Sequence, residues 1–150
     1  LQGAAEIDDA AWEGDTLKQD APIPMGYARF ANGVHAYLVA SGGYEFEVSG
    51  TGGKLRTLSN GIGYSWRRFD EHEQLQDASG PEVRLESGTL RGLEDLVRAL
   101  DEDGDTQGNL RLACRSQEMI FGFAESHRRG GMRVPMPLAN RELAIAPDNY

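Results

Sequence analysis

The feature that most constrains the fold is the turn chemistry that interrupts residues 22–69 at short, regular intervals. Asn-Gly is typical of type I′ hairpins because both central residues of that turn need positive φ. The turns are Asn32-Gly33, Gly42-Gly43, Gly50 to Gly53 and Asn60-Gly61. The strand-like segments beside them are "MGYARFA", "VHAYLVAS", "YEFEVS", "KLRTLS" and "IGYSWRRF". In "YEFEVS" apolar and polar residues alternate, which predicts an antiparallel meander with one apolar and one polar face.

Beyond the meander, the hydrophobic pattern changes to the helical period. The apolar face of the first predicted helix consists of Leu90, Leu93, Val97 and Leu100. We expect Ser87 or Thr89 to cap this helix and Gly104 to end it. A second, longer helix is predicted from Asn109 to Arg129. Its apolar stripe, wide enough to cover a sheet, consists of Leu110, Ala113, Cys114, Gln117, Ile120, Phe121 and Ala124.

Two helices that follow a hairpin-rich sheet predict an α+β fold, in which both C-terminal helices pack on one face of an open, mainly antiparallel β-sheet. The length of 150 residues is that of one ordinary domain, so residues 1–150 are expected to form a single domain. One further strand is expected within the first twenty residues and another at "EVRLE", residues 82–86, with a surface loop over residues 70–81.

The charge of the chain argues against two classes of partner. A formal net charge of −9 at pH 7 repels phosphate backbones and anionic lipid surfaces, so neither nucleic acid nor a membrane is an expected partner. The single cysteine, Cys114, cannot form an internal disulfide, which fits a reducing compartment. No apolar run reaches the membrane-spanning length of about 18 residues. We therefore expect a cytoplasmic protein.

Two segments look like ligand-binding loops but lack the required spacing. "GTGGKL", residues 50–55, lacks the early glycine and the hydroxyl residue of a phosphate-binding loop, so a hairpin turn is expected. "DEDGD", residues 101–105, lacks the glycine and the bidentate acid of an EF-hand, so a solvated helix end is expected. The residues found at those positions are Val48 and Leu55, and Thr106 and Leu112, respectively.

The histidines and the cysteine show no metal-ligand or nucleophile spacing. His35, His72 and His127 are widely separated, and Cys114 and His127 are too far apart along one predicted helix to form a nucleophile pair. We therefore predict no metal site and no catalytic cysteine. Cys114 is expected to be a small core residue.

"SHRRGGMRVPMPLANR", residues 126–141, admits two interpretations. Arg128-Arg129 and Gly130-Gly131 fit the last turn and the left-handed stop of a helix, followed by an edge strand or an extended exit. The alternative is a binding site for an anion.

The polar residues of most interest lie on the predicted strands. His35 and Tyr37 share one strand, and Tyr44 begins its neighbour. Such a cluster on a sheet face can hold a sugar or polyol ring by stacking and hydroxyl hydrogen bonds. Ordinary sheet packing or a subunit contact explains the same residues. His35, Tyr37 and Tyr44 are therefore substrate-binding candidates, and no catalytic or cofactor-binding residue is assigned.

Two stretches resemble the C-terminal domain of the glucose-fructose oxidoreductase, inositol dehydrogenase and MocA family of NAD(P)-dependent oxidoreductases. "FANGVHAYLVAS…YEFEVSGTGGKL" is similar to that family's strand pair and its E-x-x-G-x-x-G segment, here Glu47, Gly50 and Gly53. "LACRSQEMIFGFAESHRRGGMRVPMPLANR" is similar to its last long helix and closing V-x-x-P-L. With the intervening "TLRGLEDLVRAL", the resemblance covers most of residues 22–141.

The resemblance implies the C-terminal substrate and oligomerisation domain of a larger enzyme. It implies an open sheet whose free face builds a dimer or tetramer, and a sugar, polyol or related substrate. NAD or NADP is expected for the parent protein only. The family's N-terminal Rossmann domain, its Glu-Lys-Pro segment and its Asp-x-x-x-His pair have no counterpart in this sequence.

Two hypotheses therefore remain open. The chain is either the pocket wall and oligomer interface of a nicotinamide-dependent oxidoreductase, or a non-enzymatic module for sheet-mediated oligomerisation or small-carbohydrate binding. A Rossmann glycine fingerprint roughly one domain upstream would favour the enzyme, whereas a start codon near Leu1 would favour the module.

Overall fold

The computed structural model describes residues 1–5, 7–20, 22–40, 43–82 and 86–147. The chain forms two compact units, Leu1–Ala40 with Gln107–Tyr150 and Ser41–Thr106. The predicted α+β class is confirmed, because two helices accompany open, mainly antiparallel sheets among the described residues. The described strands form three sheets rather than one, and the predicted strand pair "VHAYLVAS" and "YEFEVS" falls in different units. The centre of "EVRLE" lies outside the described residues.

The elements are numbered along the chain. The first unit contains β1 (Gln2–Ala4), β2 (Trp12–Glu13), β3 (Thr16–Leu17), β4 (Met25–Arg29), β5 (His35–Val39), α2 (Leu110–Arg128) and β10 (Ala144–Ile145). The second unit contains β6 (Glu47–Gly50), β7 (Gly53–Leu58), β8 (Gly63–Phe69), β9 (Leu75–Asp77) and α1 (Gly88–Asp101). Short 3₁₀ turns lie at Asp9–Ala11 and Ser59–Gly61. Neither helix combines the length and apolar character needed to cross a bilayer within the described chain.

The main sheet of the first unit has the order β1-β4-β5, and all its pairs are antiparallel. The predicted hairpin between β4 and β5 is confirmed, but its turn is not type I′. Gly33 has φ +85°, whereas Asn32 keeps a negative φ, and the Phe30 N–H donates to the Val34 carbonyl across a three-residue loop. The other Asn-Gly pair differs, because both Asn60 and Gly61 have positive φ.

Helix α2 packs on this sheet through the C-terminal half of the helix. The ring of Phe123, which is buried, lies against the backbone of Gly3 and Gly26. A Cβ at Gly26 would come within 2.8 Å of that ring, so only glycine allows this approach. Ser126 Oγ accepts from the Gly3 N–H at 3.1 Å and donates to the Met132 carbonyl at 2.7 Å. A neighbouring small core consists of Ala5, Ile7, Leu17 and Ala124.

The expectation that Cys114 is a core residue is wrong, because its side chain is exposed. The buried stretch of α2 runs over Gly122–Ser126, and the N-terminal part of the helix extends beyond the short strand β1 that covers it. Leu110, Ala113 and Gln117 are therefore exposed as well.

The end of α2 confirms the helix-stop interpretation of the double glycine. The Gly131 N–H donates to the Ser126 carbonyl and the Gly130 N–H to the His127 carbonyl, both at 2.8 Å, which is a Schellman motif. Gly130 and Gly131 both have positive φ. The chain then leaves in an extended conformation, and Val134 exchanges backbone hydrogen bonds with Leu1.

The second unit contains the predicted meander, a sheet of order β6-β7-β8-β9. Val48, Leu55 and Trp66 form one row across three strands on its apolar face. The opposite face is charged, and there Lys54 Nζ lies 3.2 Å from Glu47 Oε1. The predicted two-faced alternation is therefore confirmed.

A polar turn joins β8 and β9. The backbone N–H of Gln74, the side-chain amide of Gln76 and the backbone N–H of His72 donate to the Asp70 carboxylate, each at 2.9 Å. These donors hold the pKa of Asp70 below its usual value. Residues 70–74 therefore form a specific turn, but the prediction of a loop over residues 70–81 is wrong in part, because Leu75–Asp77 form strand β9, which pairs with β8.

Helix α1 begins as predicted, since Ser87 Oγ accepts from the Leu90 N–H at 3.5 Å. It ends at Asp101, three residues before Gly104. Asp103 takes the left-handed conformation with φ +51°, and the Gly104 N–H donates to the Ala99 carbonyl at 2.9 Å. Ala99 is buried, whereas the apolar side chains Leu90, Leu93, Val97 and Leu100 are exposed.

Candidate functional site

The candidates His35 and Tyr37 lie on the same face of β5, beside Tyr27 of β4. The register places Tyr27 directly opposite Tyr37, and their ring centroids are 5.3 Å apart. Tyr27 Oη and His35 Nδ1 are 2.9 Å apart, which is hydrogen-bond distance, and those two rings have centroids 5.7 Å apart. We call Tyr27, His35 and Tyr37 the tyrosine–histidine surface.

This surface faces away from α2. Gly26 and Ala28 alternate with Tyr27 along β4 and are buried, and Gly26 lies against Phe123. The tyrosine–histidine surface is therefore on the open side of the sheet, where Tyr37 is 73% exposed. Met25 and Val39 extend it as exposed apolar neighbours, opposite each other in the register.

The chemistry of the surface is that of a shallow ring-binding site. The two tyrosine rings offer apolar faces, and their hydroxyls donate and accept hydrogen bonds. Because Nδ1 of His35 is paired with Tyr27, its Nε2 remains as a second polar atom, and no described residue hydrogen-bonds to it. Such a combination suits a ligand with C–H faces and several hydroxyl groups.

Comparisons with family models, curated proteins and solved structures return no match for this chain. The role of the tyrosine–histidine surface therefore rests on its own geometry.

The third candidate, Tyr44, lies in the second unit. Its backbone N–H donates to Asn60 Oδ1 at 2.7 Å, and its side chain is exposed. The structure thus brings His35 and Tyr37 together, and Tyr44 belongs to a separate unit.

Tyr27 was not among the sequence-based candidates, although a signal for it exists. A hairpin whose turn is centred on Asn32 pairs positions equally distant from that residue, which places Tyr27 opposite Tyr37. Pairing the strands residue by residue would have added Tyr27 to the cluster.

The rejected motifs have structural roles. "GTGGKL" contains the two-residue turn between β6 and β7, flanked by the pair Gly50 and Gly53. A Cβ at Gly53 would lie 2.1 Å from the Arg67 carbonyl oxygen, so glycine is needed for the close approach of β8.

Among the described residues, no three His, Cys, Asp or Glu side chains are grouped to hold a metal ion. His127 Nδ1 accepts from the Ala5 N–H at 3.3 Å.

Arg128 and Arg129, at the end of α2, form ion pairs within the protein. Glu125 is buried, and both Arg128 and Arg129 pair with its carboxylate at 2.6–2.8 Å. Arg128 Nη1 also lies 3.0 Å from Asp15 Oδ1. These two guanidinium groups are therefore internal ion-pair partners rather than an anion site.

Proposed function

We propose that this chain is the C-terminal substrate-pocket and oligomerisation domain of a cytoplasmic NAD(P)-dependent oxidoreductase that acts on a sugar, a polyol or a related compound. The observation that carries the proposal is the tyrosine–histidine surface, because it combines aromatic faces with an imidazole and hydroxyls on an open sheet. In the parent enzyme the nicotinamide would exchange a hydride with a carbinol or carbonyl carbon. This chain would orient the hydroxyl-bearing substrate.

The nicotinamide nucleotide does not fit a site within the described residues. A dinucleotide site needs a glycine-rich turn between a parallel strand and the N-terminus of a helix. Among the elements that the structure describes, neither α1 nor α2 directly follows a strand of a parallel sheet. The proposal therefore assigns the nucleotide to a Rossmann domain of the parent protein.

A titration with polyols tests the ligand class. We expect glucose or myo-inositol to shift the amide NMR signals of β4 and β5, with a dissociation constant of about 1 mM or weaker. Tyr37→Ala and His35→Ala are each expected to weaken binding about fivefold, because each removes roughly 1 kcal/mol of stacking or hydrogen bonding. His72→Ala is the matched control, since His72 is an exposed histidine of the other unit. Tyr44→Ala in the same titration tests the third candidate.

The same titration separates the two hypotheses. Equal binding by wild type and Tyr37→Ala, or no shift with either polyol, contradicts the tyrosine–histidine surface as a ligand site. The alternative is the non-enzymatic carbohydrate-binding or oligomerisation module, which needs only this chain. It is favoured if polyols bind but the protein extended by its upstream sequence does not reduce NAD⁺ or NADP⁺ with them.

The oligomer interface is proposed on the apolar face of the β6–β9 sheet. Val48 is 68% exposed, and the row that it forms with Leu55 and Trp66 is uninterrupted across three strands. Monomers seldom leave contiguous apolar patches beyond a few hundred Å² open to water. A dimer or larger assembly would cover this row.

We expect light scattering to give at least a dimer for the wild type and a smaller mass for Val48→Glu, which places a charge in the row. Ser49→Glu is the matched control, because it adds the same charge to the same strand on the opposite face. A single-chain mass for the wild type at high concentration, or equal effects of the two variants, contradicts the interface.

A further inference from the structure

A cavity in the first unit is unlike the tyrosine–histidine surface. It has a volume of about 800 Å³ and is open to solvent on one side. The end of β4, the middle of α2 and the extended segment after α2 enclose it. Three arginines, Arg29, Arg115 and Arg133, line it together with apolar side chains that include Ala28, Met119 and Val134. We call this cavity the arginine cleft.

The three arginines come from three separate segments. Arg29 ends β4, Arg115 lies on α2, and Arg133 follows the Schellman motif. None of their guanidinium groups forms a hydrogen bond or an ion pair with a residue that the structure describes. By contrast, Arg128, Arg129 and Arg141 of the same unit are each paired with a carboxylate. The fold therefore concentrates unneutralised guanidinium groups at this cleft.

One carboxylate also lines the cleft, but it is already engaged. Glu118 Oε1 accepts from Arg141 Nη1 at 2.6 Å and from the Leu138 N–H at 3.2 Å. Arg141 is not part of the cleft lining, so the acid is neutralised from outside. The net charge that faces the cleft is positive although the whole chain has a charge of −9.

The cleft wall is also apolar. Of the residues that line it, Ala28 and Val134 are buried, and Met119 is half-buried on α2. Specific ligand sites typically combine such an apolar wall with a few charged groups, in cavities of about 300–1,000 Å³. Guanidinium groups bind carboxylates and phosphates through paired N–H donors.

We propose that the arginine cleft binds a small organic anion, in which a carboxylate or phosphate group is attached to an apolar body. The oxyanion pairs with Arg115 and Arg133 at the mouth, with Arg29 as a third donor, and the apolar body lies on Ala28, Met119 and Val134. The cleft shares no residue with the tyrosine–histidine surface. This inference therefore does not depend on the proposed oxidoreductase function.

Calorimetric and NMR titrations with four small probes test separately whether binding requires the oxyanion and whether it requires the apolar body. Benzoate and phenyl phosphate carry both an oxyanion and an apolar ring, inorganic phosphate carries only the charge, and benzyl alcohol only the ring. We expect at least one of the two ring-bearing anions to bind about tenfold more tightly than the corresponding single-feature probe, and added salt to weaken this binding. The stronger of the two identifies the anion as a carboxylate or a phosphate.

Single substitutions locate the binding site. Arg115→Gln and Arg133→Gln are each expected to weaken binding of the ring-bearing anion about tenfold, which corresponds to one charge-assisted hydrogen bond. Arg111→Gln is the matched control, because Arg111 is also exposed on α2 but does not line the cleft. The guanidinium groups of Arg115 and Arg133 form no hydrogen bond or ion pair with a described residue, so we expect the variants to keep the melting temperature of the wild type.

Three results overturn the proposal. They are benzyl alcohol binding as tightly as both ring-bearing anions, inorganic phosphate binding as tightly as both ring-bearing anions, and an equal loss of affinity in Arg111→Gln. The polyol titration of the tyrosine–histidine surface uses other residues and uncharged ligands, so the two proposals fail independently.

Discussion

Replacing Arg128 by alanine is expected to lower the free energy of unfolding of the first unit by about 3 kcal/mol. Glu125 is only 1% exposed, so its carboxylate depends on Arg128 and Arg129 for compensation. Arg128 also pairs with Asp15 and lies over the ring of Trp12, with its guanidinium carbon 5.1 Å from the ring centroid. The substitution leaves the buried Glu125 carboxylate with Arg129 as its remaining guanidinium partner. It also removes the contacts by which Arg128 joins α2 to the β2–β3 hairpin.

The unfolding of the first unit can be followed by the fluorescence of Trp12. The chain has two tryptophans, and Trp66 belongs to the other unit, so a Trp66→Phe background leaves one probe in each experiment. The midpoint in urea gives the loss in stability if the slope of the transition is unchanged.

Two further variants are compared with Arg128→Ala, and both are expected to lose less stability. Arg111→Ala on the exposed face of α2 is the control and should stay within about 0.5 kcal/mol of wild type. Arg129→Ala should cost less than Arg128→Ala, because Arg128 retains its contacts with both Glu125 and Asp15. A loss below about 1 kcal/mol for Arg128→Ala would contradict the dependence of the buried Glu125 carboxylate on Arg128.

Phe123→Ala is expected to destabilise the first unit by about 3–5 kcal/mol. Phe123 is 2% exposed and is the largest side chain between α2 and the β1-β4-β5 sheet. The glycine backbones at Gly3 and Gly26 fit its ring closely and have no side chains that could fill the space it leaves. The same Trp12 transition in urea measures the loss.

The complementary substitution, Gly26→Ala, is expected to cost about 1–3 kcal/mol, because the added methyl group overlaps the Phe123 ring. The double variant Gly26→Ala/Phe123→Leu should then lose less free energy of unfolding than the sum of the losses in the two single variants. Gly108→Ala is the matched control, since a Cβ at that position meets nothing within 4 Å. Strict additivity of the double variant would contradict direct contact between Phe123 and Gly26.

Local turn and cap chemistry made much of the fold predictable from the sequence. Ser87 caps α1, Gly130 and Gly131 end α2, and the alternation around Val48 gives the two faces of the meander. These features depend on a few neighbouring residues whose backbone preferences are strong. The type I′ prediction for Asn32-Gly33 failed because a glycine in the left-handed conformation also fits a three-residue loop.

Features that depend on distant contacts were not predictable in the same way. Cys114 lies on an apolar stripe, yet the strand that would have to cover it is too short. Glu125 gave no sign of burial in the sequence, because its partners and the sheet beneath it are assembled only in the folded unit.

The candidate site shows the same difference between features set by neighbouring residues and features set by distant contacts. His35 and Tyr37 were found from strand alternation, and Tyr27 required the register of the hairpin. The arginine cleft combines Arg29, Arg115 and Arg133, which are far apart along the chain. No local pattern connects three such positions.

The order of the segments in the first unit has a consequence for synthesis on the ribosome. Its strand β1 is covered by α2, and β3 pairs with β10. These early strands therefore lack α2 and β10 until the whole second unit has been translated. The second unit is continuous and has all its strand partners nearby. During translation, residues 41–106 can thus acquire structure while the earlier apolar strands stay uncovered, which makes the N-terminal segment the part most in need of chaperone protection.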